Sequence, residues 1–228
     1  MSKRRLAALG VVAVSASAVV LSTSPAFATS SDVLSYGAAN TGGSNVLTTD
    51  TLSGSLATGT TNTFTFTSSG KTVTITCGAA ALTAKATSNP TAPGTAGLTL
   101  SALTFTTCSI TGISGVTVSS VSLNGSATAT VTDGTTKALN ITALDERVVL
   151  NNGLGTVNCD YGNTTSEAAI VGTILNPGSG GTITFTNQTV HLLSGLTVCG
   201  ASGSTGTFNA TFASIVDTTH SSALVYAN

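Results

Sequence analysis

Apolar and hydroxyl-bearing residues alternate along much of this chain. In Thr63-Phe64-Thr65-Phe66-Thr67 every second residue is aromatic, and in Thr72-Val73-Thr74-Ile75-Thr76-Cys77 every second one is apolar. A period of two puts the two sets on opposite faces of a strand. Ser68-Ser69-Gly70 lies between the runs as a turn, so this stretch predicts a β-hairpin with Val73, Ile75 and Cys77 facing inward. Ser88–Gly94 contains two prolines and a glycine and predicts a loop. A long strand region follows from Gly97 to Cys108, and its apolar phase slips between Leu100 and Leu103, which predicts a bulge or a break there. Asp133-Gly134 marks a turn between strands at Ala127–Thr132 and Lys137–Ala143.

The pattern predicts further strands at Val116–Val118, Val121–Leu123, Arg147–Leu150, Gly155–Cys159, Ala168–Leu175, Thr182–Thr186, Thr189–Leu193, Thr207–Ala213 and Ala223–Tyr226. Residues 29–60 read as an irregular lead-in with one edge strand near Asn45–Thr51, and residues 61–228 as the folded domain. No helical period interrupts the series after residue 28. About a dozen short strands with closely spaced turns predict an all-β protein, an antiparallel β-sandwich of Ig-like or jelly-roll-like type.

The first 28 residues break this pattern. Lys3, Arg4 and Arg5 precede an apolar run from Leu6 to Leu21, and Ala26-Phe27-Ala28 ends the segment. That order predicts an export signal cleaved after Ala28, because the apolar run is short for a membrane span and a polar stretch follows it. An ordinary general-secretion signal is favoured over twin-arginine export at Arg4-Arg5. The remaining Thr29–Asn228 is then expected to be extracellular, without a membrane span.

Composition narrows the function. Beyond residue 28 the cations are Lys71, Lys85, Lys137 and Arg147, against eight Asp and Glu, so four minus eight leaves a net charge of −4. Four scattered cations exclude nucleic-acid binding, which needs clustered Lys and Arg to release counterions. Charged residues are only 7% of the chain, so Ser, Thr, Asn and Gly must cover the surface, and Thr fits a pleated sheet.

The cysteines are Cys77, Cys108, Cys159 and Cys199. An even number in an exported chain predicts two disulfides. Of the three connectivities, Cys77–Cys108 with Cys159–Cys199 is preferred, because sequence neighbours tend to lie on adjacent strands. No close Cys pair suggests a zinc site, and no metal or cofactor is expected.

Catalytic chemistry is thinly represented. The two histidines are His191, on a strand pattern, and His220, in a polar turn. No GxSxG elbow accompanies them. Asp145-Glu146-Arg147 is the main charge cluster, with Asp160 and Glu167 beyond it. Adjacent strand residues point to opposite faces, so Asp145 and Glu146 do not converge as a glycosidase pair. A solvated loop with a local ion pair is the plainer expectation. The chain lacks Trp, which leaves little for a sugar-stacking platform. Five N-x-[ST] sequons begin at Asn124, Asn140, Asn163, Asn187 and Asn209.

The signal ending Ala26-Phe27-Ala28, the strand Thr72–Cys77, the Pro/Gly loop leading to Leu103-Thr104-Phe105-Thr106-Thr107-Cys108 and the late Thr156-Val157-Asn158-Cys159 together resemble small secreted β-sandwich proteins of actinobacteria, whose function is largely unassigned. More distantly the chain is similar to proteins labelled activators of alkane oxidation. The resemblance covers about Thr61 to the C-terminus and implies a β-sandwich without catalytic residues to carry over. In composition the chain also resembles the apoproteins of enediyne antibiotics, although its cysteine spacings are longer.

The expectation is therefore a secreted or cell-surface structural or interaction protein, not an enzyme. It would pair through strand edges with itself or another envelope protein. The alternative is an extracellular carrier of a small apolar ligand.

Overall fold

The structure is a computed structural model that describes residues 31–39 and 42–228. The expected export signal lies outside the described residues. The strands are β1 (Leu34–Tyr36), β2 (Ser44–Asn45), β3 (Thr51–Ser55), β4 (Asn62–Ser68), β5 (Lys71–Ser88), β6 (Thr95–Thr111), β7 (Thr117–Leu123), β8 (Ala127–Thr132), β9 (Ala138–Thr142), β10 (Asp145–Asn151), β11 (Thr156–Gly162), β12 (Ile170–Leu175), β13 (Thr182–Ser194), β14 (Thr205–Phe212), β15 (Val216–Asp217) and β16 (Ala223–Ala227). Every pairing between them is antiparallel. The protein is all-β, as the alternation predicts.

Register turns these strands into longer staves. β3 and β4 both run along β5, from Thr51 opposite Lys85 to Ser68 opposite Lys71, with residues 56–61 bulging between them. β7 and β8 likewise share β6. β9 and β10 form the next line, and β11 and β12 the one after it. β13 pairs with both halves of that line and then with β14. β14 and β15 return along β4 and β3. Eight staves thus follow one another in sequence order, and the last pairs with the first. Opposite walls of the closed sheet meet across a shared core, as the two layers of a sandwich do.

Several expected details hold. The bulge falls where the phase slips, since Thr83 pairs with Ala102 and Ala84 with Leu100, leaving Ser101 extra. Other elements differ in extent. β5 continues to Ser88, well beyond Cys77, because Gly78-Ala79-Ala80-Ala81 keeps an extended backbone while losing polar contrast. Thr182–Thr186 and Thr189–Leu193 belong to one strand with an irregularity between Phe185 and Gln188. The strand expected near Asn45–Thr51 lies at Thr51–Ser55 and is paired on both sides.

β16, β1 and β2 leave the closed wall beyond β15 and fold across one end as a flap. Val33 N–H donates to the Pro90 carbonyl, and Gly134 N–H to the Asn228 carbonyl. The Asn89 carboxamide accepts from Leu34 N–H and donates to the Leu34 and Val46 carbonyls. The flap is therefore tied to two of the turns at that end.

Both predicted disulfides form. Cys77–Cys108 joins directly opposed residues of β5 and β6, with Cα atoms 4.0 Å apart. Cys159–Cys199 ties β11 to the short 3-10 turn Thr197–Cys199 between β13 and β14. That second bridge reinforces the corner where β11 meets β13 through only Asp160, Tyr161 and Gly162. Two such bonds fit a protein folded in an oxidising compartment. Among the described residues no helix is long and apolar enough to cross a membrane.

Candidate functional site

Alternation dictates what fills the barrel. Inward positions carry Leu, Ile, Val, Phe and Ala, while Thr and Ser face outward. The end away from the flap is filled by aromatic packing, with Phe64 at 4.4 Å and Phe66 at 5.2 Å from Tyr161 between ring centroids. The Tyr161 hydroxyl donates to the Cys199 carbonyl at 2.6 Å, and burial pushes its phenol up.

The flap end is less completely filled. There the inward residues are mainly aliphatic, and Ala84 and Ala129 leave space beside Leu98, Leu100 and Ile141. The result is a chamber of about 100 Å³. Phe185, Phe208 and Phe212 floor it, and Leu34, Val225 and Ala227 of the flap roof it. Its residues with polar side chains, Asn176, Thr182 and Ser214, are all half-buried and sit together near the β12–β13 loop. Leu175 beside them is 48% exposed although it also lines the chamber. This places the rim between the β12–β13 loop and the flap. The chamber escaped the sequence reading because its lining comes from many staves. The available signal was alanine on inward phases, such as Ala84 and Ala129.

The titratable groups fall into separate places. Asp145, Glu146 and Arg147 lie on strand β10, which corrects the solvated-loop expectation. They do face alternate sides. Arg147 pairs across to Asp160 on β11, its Nε 2.8 Å from Oδ1 and Nη2 3.0 Å from Oδ2, and Ser194 donates to the same carboxylate at 2.7 Å. The Arg147 hydrogen bonds hold the Asp160 carboxyl below its usual range. Asp145 accepts from Asn124 at 2.8 Å, while burial outweighs that bond and raises its pKa. Glu146 is on the inward phase with Val148 and Leu150. It lines a small pocket with Phe64, Ile75, Val121 and Tyr161, and burial pushes its carboxyl up to about 8. Glu146 is the one acid among the residues lining that pocket, so the pocket does not bring two carboxyls together as a glycosidase does.

His191 lies 3.3 Å from Glu167 in a partly exposed surface pair. His220 is more embedded. Its Nδ1 is 2.9 Å from Asp217 Oδ2 and 3.6 Å from Asp50 Oδ2, and its ring stacks on Tyr36 at 4.2 Å. Asp50 and Asp217 are buried. Leu47 N–H donates to Asp50, and Thr219 N–H donates to Asp217. The cluster links β3, β15 and the β15–β16 turn with β1, at the root of the flap. Nothing in the sequence spacing of Asp50 and His220 pointed to it. One imidazole and two carboxylates, with donor atoms within 4.8 Å of one another, form a set that suits a divalent cation. The short Asp217–His220 contact already gives these groups a structural use.

No family model, curated protein or solved structure matches the chain.

Proposed function

We propose that the protein is an exported, non-enzymatic carrier of a small apolar ligand. The chamber beneath the flap is the observation that supports this. A closed antiparallel wall with an apolar interior and a few polar groups at the rim is a common way to hold such a molecule. A cavity of about 100 Å³ is of the order that stays dry and admits compact hydrocarbons when its lining is wholly apolar. The assembly reading depends on open strand edges, and among the described strands the one left at an end of the pairing order is the two-residue β2.

The test is native mass spectrometry of the exported protein, followed by organic extraction. A discrete extra mass that passes into the solvent is the expected result. A bare monomer that also fails to take up xenon or n-hexane overturns the proposal.

A further inference from the structure

The chemistry of the lining specifies the ligand more closely, if the carrier reading holds. A cavity selects by the hydrogen bonds it offers as well as by its volume, because a buried polar group without a partner is costly. Along the chamber wall the side chains of Leu52, Leu82, Leu98, Leu100, Ile141 and Ile170 offer none. At the rim the Asn176 and Ser214 side chains are already engaged. Asn176 Nδ2 donates to the Ala227 carbonyl at 2.7 Å, and Asn176 Oδ1 accepts from Ala227 N–H at 3.0 Å. Ser214 Oγ donates to the Gly181 carbonyl at 2.9 Å. Thr182 lies on the outward phase of β13, between inward Gly181 and Ile183.

Those bonds have a second consequence. The β12–β13 loop and the segment Ser214–Ala227 face each other across the rim. Asn176 and Ser214 supply the hydrogen bonds between them. Elsewhere β15 is held by paired β3, and β1 by Pro90 and Asn89. At the Asn176 seam the bonds come from side chains, whereas β1 has the backbone bond from Val33 to Pro90 beside its Asn89 contacts.

We propose that the chamber takes the aliphatic end of a hydrocarbon chain, with no hydrogen-bonding group inside, admitted through the seam closed by Asn176 and Ser214. Any polar head of the ligand remains outside the rim beside Leu175. Asn176 acts as a positioning residue for the flap strand and does not contact the ligand through a hydrogen bond.

The experiment uses the mature protein with both disulfides intact. It is titrated with n-hexane, its primary alcohol and its α,ω-diol, with the methyl NMR signals of the lining residues as readout. Hexane and the alcohol are expected to bind. The diol must bury one hydroxyl against the aliphatic wall and is expected to bind at least about tenfold more weakly than the alcohol. If the diol matches the alcohol, the polarity-free chamber is wrong while the carrier reading stands. If none of the probes binds, the carrier reading itself falls. In the second arm, Asn176→Ala with Ser214→Ala is expected to speed hexane release at least about fivefold, about the worth of one lost hydrogen bond. Release at the wild-type rate overturns the seam. Should the double variant lose its native methyl spectrum, Ser214→Ala alone carries the same measurement.

Discussion

Glu146 occupies a place on β10 where a leucine would pack, between Leu123 and Tyr161 on the flanking strands. Its folded pKa of about 8 lies above the ordinary 4.5. The folded state therefore binds the proton more tightly than the unfolded one, and stability falls as pH rises from about 4.5 to about 8. Glu146→Gln is expected to flatten that slope and to stabilise the protein at pH ~9 by at least about 1.4 kcal/mol, the worth of one pKa unit. Parallel melts of both proteins across this range check it, and identical pH slopes would count against the assignment. Asp160 has the opposite sign, because its lowered pKa gives stability that is present above the usual carboxylate range and lost on acidification through the folded value. Gly172 illustrates a packing limit. A Cβ there would lie 2.8 Å from the ring of Phe185, its cross-strand partner. Gly172→Val is expected to cost about 1–3 kcal/mol by overpacking, read as a lower denaturation midpoint. The alternate facing of Asp145 and Glu146 was legible from strand period, but the inward direction of Glu146 follows from which face of β10 the barrel covers.

The disulfides act on different parts of the wall. In the chain-entropy model each closes a loop worth roughly 3–4 kcal/mol. Cys77–Cys108 lies within the long β5–β6 ladder, whereas Cys159–Cys199 braces the short β11–β13 contact. Replacing Cys159 and Cys199 by Ser is therefore expected to raise amide exchange selectively in β11 and the Ser194–Thr205 connection. Uniform change along the whole barrel would contradict this. At the flap root, His220→Phe preserves an aromatic partner for Tyr36 but removes the hydrogen-bond donor to buried Asp217. The expected loss is about 1.5–3 kcal/mol, measured by denaturant unfolding. The strands themselves were readable wherever Thr alternates with large apolar residues. They were less readable in Gly78–Ala81, where small side chains on both faces erase the period. Asn163, which begins one of the sequons, is buried, and its carboxamide bonds Leu144, Ile141 and Ala168.

At the scale of the molecule, closure of the wall removes most of the edges that antiparallel sheets otherwise expose, leaving residues 106–111 of β6 paired with β5 alone. The protein is therefore expected to remain monomeric at high concentration and to weigh four hydrogens less than its reduced chain, since two disulfides form. Analytical ultracentrifugation with intact-mass measurement checks both, and a stable oligomer would restore the assembly reading. The aromatic cluster fills the end away from the flap, while aliphatic and alanine side chains leave a chamber at the other. The flap that roofs this chamber joins strands from the two ends of the described chain, Leu34–Tyr36 and Ala223–Ala227.

By itself the sequence determined the all-β class, the alternating faces of most strands and an irregularity between Leu100 and Leu103, and it favoured one of three disulfide pairings. Each of these depends on local period or on the order of residues along the chain. Only the tertiary structure decided that β14 and β15 return to β3 and β4, that Asp50 meets His220, and that the alanine-lined end remains open inside. Those outcomes depend on contacts between segments far apart in sequence and on the volume left after many side chains have packed. Periodicity reports which face a residue takes, but carries no information about which distant face it will meet.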